Sequence, residues 1–224
     1  MLKEYGVHKA IYNIPSGIDI GWYEHVNAEE RKKLRASLGI APDECILLYV
    51  GRLAREKNIG ELLSLLAKTD RTQRMLIVGD GPYRAELEKT AEALGVQDRL
   101  IFTGMVSPQR VPDYYAAGDI FVNASQSETQ GLTYMEAMLS ALPVLCRADE
   151  CLTDVIANGE NVLLYHNKEE FLSRYERLSQ DVLYRTSIGI SAERSTAARY
   201  SIEAFTNSCL MVYNGAIRRK GACA

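Results

Sequence analysis

The sequence predicts a doubly wound α/β fold, with helices covering both faces of a parallel sheet. Short β-rich runs alternate with helical patterns from residue 46 onward. Each β-rich run is continuously apolar, which is typical of parallel strands that are buried on both faces. With 224 residues, 47% of them hydrophobic and 25% charged, the chain is long enough for one domain, or two small ones, with a real core.

The first two strand–helix units have clear boundary signals. The run Ile46–Val50 precedes a helix for which Asn58 is the expected N-cap. The run Met75–Val78 precedes a helix with Pro82 at its first position and Gly95 just past its end. Each unit therefore reads as a strand followed by a helix.

Four further apolar runs continue this pattern, and helical patterns follow each of them. The pattern is helical from Arg194 to the end, where residues 201–220 form the last long helix. The four predicted strands are Leu100–Phe102, Asp119–Ser125, Pro143–Cys146 and Val162–Tyr165.

Composition and motifs exclude several classes of protein. A net charge of −3 argues against a nucleic-acid-binding protein. The five cysteines are scattered without a CxxC pair, so we expect free thiols in a reducing compartment. P-loop, GxSxG and Asp-x-Asp motifs are missing from the sequence, and we expect neither a bound metal nor a cofactor. The basic run at residues 31–35 suggests a solvated helix face, or less readily a contact with anionic lipid.

In such sheets ligands bind at the carboxyl ends of the strands, so the loops there matter most. The loop Gly51–Asn58 crowds Arg52, Arg55 and Lys57 just before a helix, where cations oppose the helix dipole. An anion bound between them would remove this conflict. Taken alone, the pattern favours a solvated basic loop with Glu56 as counter-charge.

The loops after the second and third strands are less informative. Gly79 and Gly81 begin like a dinucleotide fingerprint, but Arg84 stands where the third glycine belongs, which favours a simple turn. The backbone of Met105 and Val106 could pair with a flat ring or form a plain loop.

The helix predicted to start at about Gly131 carries an unexpected carboxylate. Leu132, Met135 and Leu139 occupy one apolar stripe, and Glu136 takes a slot of that stripe where a leucine would be typical. A half-buried carboxylate needs hydrogen-bond donors, and sugar or ribose hydroxyls are suitable. The alternative is a helix edge at which Glu136 reaches solvent or an arginine.

The start of the same helix suits an anion. Backbone N–H groups of Gly131, Leu132 and Thr133 can face a phosphate, as helix N-termini do. Glu136, one turn further along, would point toward the same crevice, and Glu128 lies just upstream.

These motifs, in their order, resemble the C-terminal domain of family 4 retaining glycosyltransferases of the GT-B fold. Glu128 and Glu136 match the E-x7-E motif of that family, and the resemblance extends over about residues 12–165. The stretches that carry it are NIPSGID, YVGRLAREKN, LIVGDGP, FTGMVS and SETQGLTYMEAMLSALPV.

The resemblance implies roles for residues around the diphosphate of a nucleotide-sugar. Arg52 and Lys57 would bind the diphosphate and stabilise it as the leaving group, in the loop that Gly51 opens. The amides of Leu132 and Thr133, following Gly131, would hold the same phosphates. Preorganised cations and a helix N-terminus offset the negative charge that develops on a departing nucleoside diphosphate.

It also implies contacts to the rest of the donor. Glu136 would bind the ribose hydroxyls, Glu128 the hydroxyls of the donor sugar, and the Met105–Val106 backbone the base. The family needs no metal. Ala141 stands where the family usually has a glycine, which we interpret as a packing change.

The segment SETQGLTYMEAM most resembles the corresponding sequence of bacterial glycolipid synthases, which glucosylate diacylglycerol from UDP-glucose. The resemblance therefore implies a UDP-sugar as donor, a membrane lipid as acceptor, and a cytoplasmic location at the inner face of the membrane.

The resemblance also implies a domain organisation. Residues 1–14 would be a remnant of the linker between two domains, 15–200 the nucleotide-sugar-binding domain, and 201–224 a helix that crosses to an N-terminal acceptor-binding domain. Because that first domain is missing from the sequence, we expect this chain to bind the donor without transferring its sugar.

Three alternatives stay open at this point. The first is an isomerase of the same fold, similar to UDP-N-acetylglucosamine epimerases, although the glutamate spacing favours the transferase. The second is a non-catalytic nucleotide-sugar-binding module that docks onto a separate acceptor subunit. A nicotinamide-dependent oxidoreductase is the third and is weakened by the incomplete glycine fingerprint.

Overall fold

A computed structural model describes residues 4–8, 10–23, 27–125, 130–148 and 161–221 of the chain. The strands are β1 (Ile46–Val50), β2 (Arg74–Val78), β3 (Leu100–Gly104), β4 (Ile120–Asn123), β5 (Val144–Arg147) and β6 (Val162–Tyr165). The α-helices are α1 (Ala28–Ser37), α2 (Ile59–Leu66), α3 (Arg84–Leu94), α4 (Val111–Ala117), α5 (Leu132–Leu139), α6 (Lys168–Gln180), α7 (Val182–Tyr200) and α8 (Ile202–Gly221).

The strands form one parallel sheet in the order β3-β2-β1-β4-β5-β6. This order confirms the predicted doubly wound fold, because the chain runs outward from β1 to β3 and then resumes at β4 on the other side of β1. The reversal lies between β1 and β4. In such sheets this is where a crevice opens at the carboxyl ends of the strands.

Two apolar layers bury the sheet. One contains buried residues of α2, α3 and α6, and the other contains buried residues of α4, α5 and α7, with α1 packed at its edge. All residues of β1 and β4 are buried, as the continuous apolar runs predicted. Burial on both faces explains why these strands lack the alternation of an exposed sheet.

The helix boundary signals were partly correct. Gly95 ends α3 in a left-handed conformation (φ 66°), as predicted. However, α3 begins at Arg84 rather than at Pro82, which lies in the preceding turn. Asn58 does occupy the N-cap position of α2, but with φ 51° and without a capping hydrogen bond from its side chain. The helical pattern predicted after Pro143–Cys146 falls on residues 149–157, outside the described residues.

The basic run of α1 is not simply a solvated face. Arg31 and Arg35 point inward, and both donate to the Asp119 carboxylate, at 2.8 and 3.0 Å. Arg35 is 2% exposed and also donates to the backbone oxygen of Ala117 at 2.8 Å. These contacts fasten α1 to the start of β4. Lys32 and Lys33 are the exposed members of the run.

The last two helices meet at Ser201, where the sequence predicted the last long helix to begin. The Ile18 N–H donates to the Tyr200 oxygen at 2.7 Å, and the Ile202 N–H donates to the Ile18 oxygen at 3.2 Å. The segment near Ile18 therefore pairs with the junction between α7 and α8. None of the helices in the described part of the chain combines the length and apolar character that crossing a membrane requires.

Candidate functional site

A pocket of about 250 Å³ lies at the topological reversal between β1 and β4. Its walls come from the end of β1 with the following loop and from the end of β4 with the start of α5. Six residues chosen from the sequence meet there, namely Gly51, Arg52, Lys57, Gly131, Leu132 and Thr133. The sheet thus brings together two loops that are far apart in the sequence.

A second pocket, of about 600 Å³, adjoins the first and shares Val50, Gly51 and Arg52 with it. The candidate residues Met105 and Val106 line it. Most of its other lining residues are apolar or are glycines, including Val78, Gly79, Gly81 and Val111. The two pockets form one cleft with a basic part between β1 and β4 and an apolar part over β2 and β3. We call this the carboxyl-end cleft.

The glycines after β2 shape this cleft by allowing two loops to touch. A Cβ atom on Gly79 would lie 2.1 Å from the Gly51 oxygen, and one on Gly81 would lie 2.3 Å from the Leu53 oxygen. The Leu53 N–H donates to the Asp80 oxygen at 3.0 Å. This agrees with the turn favoured by the sequence, and it adds that the turn supports the backbone of the basic loop after β1.

In the basic loop after β1, Arg52 has one contact through its backbone and another through its side chain. The Tyr49 hydroxyl donates to the Arg52 oxygen at 3.2 Å, which fixes the backbone beside the pocket. The Arg52 guanidinium pairs with Glu56, as the sequence suggested, although both side chains are largely exposed, at 65% and 45%. An exposed ion pair of this kind contributes little to stability, so Arg52 can exchange Glu56 for another anion at small cost.

The start of α5 differs from the predicted stripe. Leu132 is 43% exposed at the mouth of the pocket, so it does not belong to the buried face of the helix. The buried face contains Tyr134, Met135, Ala137, Met138 and Leu139. Gly131 is the N-cap residue of the helix, with φ 62°, and it has no side chain with which to cap the N-terminus. Gly131, Leu132 and Thr133 line the pocket, so the N-terminal turn of α5, whose first amides have no partner within the helix, borders it.

Glu136 lies behind the pocket walls rather than among their lining residues. Its Oε2 accepts a 2.8 Å hydrogen bond from the hydroxyl of Tyr115, which is fully buried. Tyr23 supplies a second hydroxyl. Burial raises the pKa of the Glu136 carboxyl, and these two hydrogen bonds partly oppose the rise. Burial and the nearby Glu136 carboxylate raise the pKa of both tyrosines, so both stay protonated donors.

The structure adds residues that the sequence reasoning missed. Tyr49, Asn123 and Gln130 line the basic pocket, and Tyr23 and Tyr115 hold Glu136. In the sequence, Tyr49 and Tyr115 stand in apolar patterns and look like core residues. Their hydroxyl groups were the only sign that they could form hydrogen bonds near the site. Glu128, the remaining site residue predicted from the sequence, falls within residues 126–129, which lie outside the described residues. Within the described ranges, no group of three or more His, Cys, Asp or Glu residues is placed to hold a metal ion.

Comparison with known proteins decides the family. Residues 30–194, about three quarters of the chain, match the family model described as glycosyl transferases group 1. The chain belongs to this family. The alpha-monoglucosyldiacylglycerol synthase of Streptococcus pneumoniae is 37% identical over 175 residues, which cover 76% of this chain and 40% of that protein. The synthase of the same name from Acholeplasma laidlawii is 32% identical over 205 residues, covering 89% and 51%. This group 1 chain therefore spans about half the length of these relatives, or less.

Solved structures support the fold. The structure of Anabaena HepE in complex with UDP and glucose has a TM-score of 0.82 at 24% identity, covering 92% of this chain and 56% of that one. The C-terminal domain of the group 1 protein LpcC from Francisella tularensis has a TM-score of 0.70 at 23% identity, covering 83% and 100%. These neighbours are GT-B glycosyltransferases, which confirms the predicted relation to one half of that fold.

Proposed function

We propose that this glycosyltransferase chain binds a nucleotide-sugar, UDP-glucose, through the carboxyl-end cleft. The observation that carries the proposal is the meeting of Arg52 and Lys57 with the first amides of α5 in one pocket. Two cations and a helix N-terminus suit the diphosphate of such a donor. The apolar second pocket beside Met105 and Val106 suits the base.

The same arrangement supports a role in catalysis. When a sugar leaves its nucleotide, negative charge builds up on the diphosphate, and Arg52 and Lys57 would stabilise it. Glu128 is proposed to bind the hydroxyls of the donor sugar and Glu136 those of the ribose. For Glu136 this requires that its carboxylate accept hydrogen bonds from the ribose in addition to those from Tyr115 and Tyr23. No metal is needed in this scheme.

The proposed acceptor is diacylglycerol or another membrane lipid. Support comes from the two synthases above, whose names specify an alpha-monoglucosyl diacylglycerol product. Because the glucosyl group of UDP-glucose is itself α-linked, an α-linked product corresponds to retention of configuration. We accordingly propose that the chain is part of a retaining hexosyltransferase that works at the inner face of the membrane.

The first experiment measures nucleotide binding by isothermal titration calorimetry with UDP, UDP-glucose, GDP, ADP and NAD. Saturation with UDP or UDP-glucose should also raise the melting temperature, since a ligand at a hundred times its Kd stabilises by about 2.7 kcal/mol. Lys57→Ala should weaken UDP binding. Lys89→Ala is the matched control, because it removes the same charge from an exposed site on α3. Equal affinity in all three proteins would contradict the proposed site.

A second measurement concerns the reaction. We propose that the 224 residues alone bind UDP-glucose without transferring glucose, since they match only 40% and 51% of the two relatives. Incubation with UDP-glucose and diacylglycerol vesicles, followed by chromatography of the lipids and nucleotides, tests this directly. Glucosylated lipid would refute it, and an epimerised sugar nucleotide would favour the isomerase.

A further inference from the structure

A polar cluster outside the walls of the carboxyl-end cleft joins four neighbouring segments at the same edge of the sheet. We call it the Glu61 cluster. It contains Asn58, Glu61 and Arg147, together with the backbone oxygen of Ala124. Asn58 follows Lys57 directly, whereas Ala124 and Arg147 lie at the carboxyl ends of β4 and β5.

Glu61 is the centre of this cluster. Its Oε1 accepts from the Arg147 guanidinium at 2.6 Å, and its Oε2 accepts from the Asn58 amide at 2.6 Å. The Arg147 and Glu61 side chains are only 27% and 23% exposed. The Arg147 guanidinium also lies 6.0 Å from the centroid of the buried Tyr165 ring. A carboxylate desolvated to this degree depends on keeping both donors, so the cluster has one well-defined arrangement.

Asn58 connects this arrangement to the backbone of the basic loop. Its φ of 51° is in the left-handed region, which asparagine tolerates better than most residues but which still needs support. The Asn58 amide supplies that support, since it donates both to Glu61 and, at 3.3 Å, to the Ala124 oxygen. The left-handed residue turns the chain from the short 3-10 turn Arg55–Lys57 into α2. The direction in which Lys57 leaves the backbone therefore depends on the conformation at Asn58.

We infer that Glu61 is a positioning residue for the donor site, acting through Asn58 on Lys57 and not through contact with the ligand. Glu61 is not among the described residues that line either pocket. Through its two oxygen atoms it joins the loop after β1 to β5, and Asn58 extends the connection to β4. The inference rests on the proposed function, because its consequence is measured as nucleotide affinity.

The test compares two glutamates in similarly buried ion pairs at opposite edges of the sheet. Glu61→Gln places an amide group against a donor, Arg147 or Asn58, and should lower UDP affinity about tenfold. Glu44→Gln is the control, because Glu44 pairs with Arg74 at 3.3 Å with exposures of 18% and 27%, near the amino ends of β1 and β2. It should bind UDP as the unchanged chain does, even if its melting temperature falls as much as that of Glu61→Gln.

A double-mutant cycle shows whether the effect passes through Lys57. In a Lys57→Ala background, Glu61→Gln should cause little further loss of UDP affinity, because the cation that it positions has been removed. Asn58→Gly offers a second variant that keeps the left-handed turn without strain but removes the donor to Glu61 and Ala124. It should also weaken UDP binding.

The outcomes are distinguishable. Normal UDP binding by Glu61→Gln and Asn58→Gly would overturn the inference while leaving the proposed function intact. The inference would also be overturned if Glu61→Gln lowered UDP affinity by the same factor in the Lys57→Ala background as in the unchanged chain. Glu61 would then act by a route that does not pass through Lys57. If the unchanged chain binds no UDP, the proposed function fails and the inference falls with it.

Discussion

Ala141 adopts a left-handed backbone conformation, with φ 53°, in the turn between α5 and β5. For a residue with a Cβ atom this conformation costs about 1–2 kcal/mol. The turn is tightly packed, since a Cβ on Gly189 of α7 would lie 2.0 Å from the Ala141 oxygen. The alanine that stands where the resemblance implies a glycine therefore holds a strained backbone conformation.

Ala141→Gly should stabilise the protein by about 0.5–1 kcal/mol, the relief of strain less the added flexibility of the unfolded chain. Urea unfolding followed by circular dichroism measures the change. Ala36→Gly is the control, because Ala36 is an exposed residue of α1, where glycine should destabilise by about 0.5–1 kcal/mol. Destabilisation by both substitutions would show that Ala141 is not strained.

Glu136 should make stability depend on pH in the acidic range. Burial raises the pKa of its carboxyl above the ordinary 4.5, so the folded state holds the proton to higher pH than the unfolded state does. Well below pH 4.5 the carboxyl is protonated in both states. As the pH rises from there to the raised pKa, the unfolded state loses its proton first and the free energy of unfolding falls.

The measurement is the free energy of unfolding of the unchanged protein minus that of Glu136→Gln, taken from pH 3.5 upward, about one unit below the ordinary carboxyl value. This difference should decline with pH and then level off. Tyr115→Phe removes a hydrogen bond that lowers the pKa, so the decline should extend to higher pH. A difference that instead increases with pH would mean that the ionised form is favoured by the fold.

At the scale of elements, the contact between the loops after β1 and β2 controls the carboxyl-end cleft. Gly79→Ala would place a Cβ 2.1 Å from the Gly51 oxygen at a φ of 127°, so the two loops must separate. We expect a loss of about 2–3 kcal/mol in stability. UDP affinity should fall as well, since Gly51 and Arg52 line both pockets.

Gly60→Ala is the matched control for this substitution. Gly60 lies in α2, where a Cβ atom would meet nothing within 4 Å. Alanine there should stabilise by about 0.5–1 kcal/mol. A mild effect at Gly79, similar to that at Gly60, would show that the loop contact adjusts without cost. Chemical denaturation and calorimetry on the same samples measure both properties.

The elements that sequence predicted best are those that depend on burial alone. All six strands were found from continuous apolar runs, because a strand covered on both faces must be apolar throughout. Boundaries depend on details of neighbouring segments and were less accurate, as with Pro82 and the start of α3. The inward direction of Arg31 and Arg35 depends on Asp119, more than 80 residues away, and is invisible to a local pattern.

The site was predictable to the extent that strand topology determines it. Carboxyl ends of parallel strands share one edge of the sheet, so Arg52, Lys57 and the start of α5 were expected together, and they do line one pocket. The partners of Glu136 were not predictable, since Tyr23 ends a short 3-10 turn far away in the sequence and Tyr115 belongs to a helix that looks like part of the core. The exposed position of Leu132 reflects the orientation of α5, which apolar spacing alone did not determine.

At the scale of the whole molecule, the sheet has cavities at both edges, and their size does not indicate their function. A cavity of about 1070 Å³, larger than either pocket of the carboxyl-end cleft, lies near the amino ends of β1 and β2. Its walls carry both signs of charge, including Lys68, Asp70 and Glu176. Mixed charge does not favour an anionic ligand, whereas the basic part of the carboxyl-end cleft does.

Hydrogen–deuterium exchange with and without UDP distinguishes the two edges. UDP should slow exchange in residues 51–58 and 131–136, because a diphosphate held there restricts opening of the loop after β1 and of the first turn of α5. Residues 41–45 and 68–74, which border the larger cavity, should change only as far as the whole protein is stabilised. Lys57→Ala at the same UDP concentration is the control and should lose the local protection. Protection centred on residues 68–74 would move the nucleotide to the amino-end cavity, and the cations of the basic loop would then be the solvated surface that their sequence pattern alone favoured.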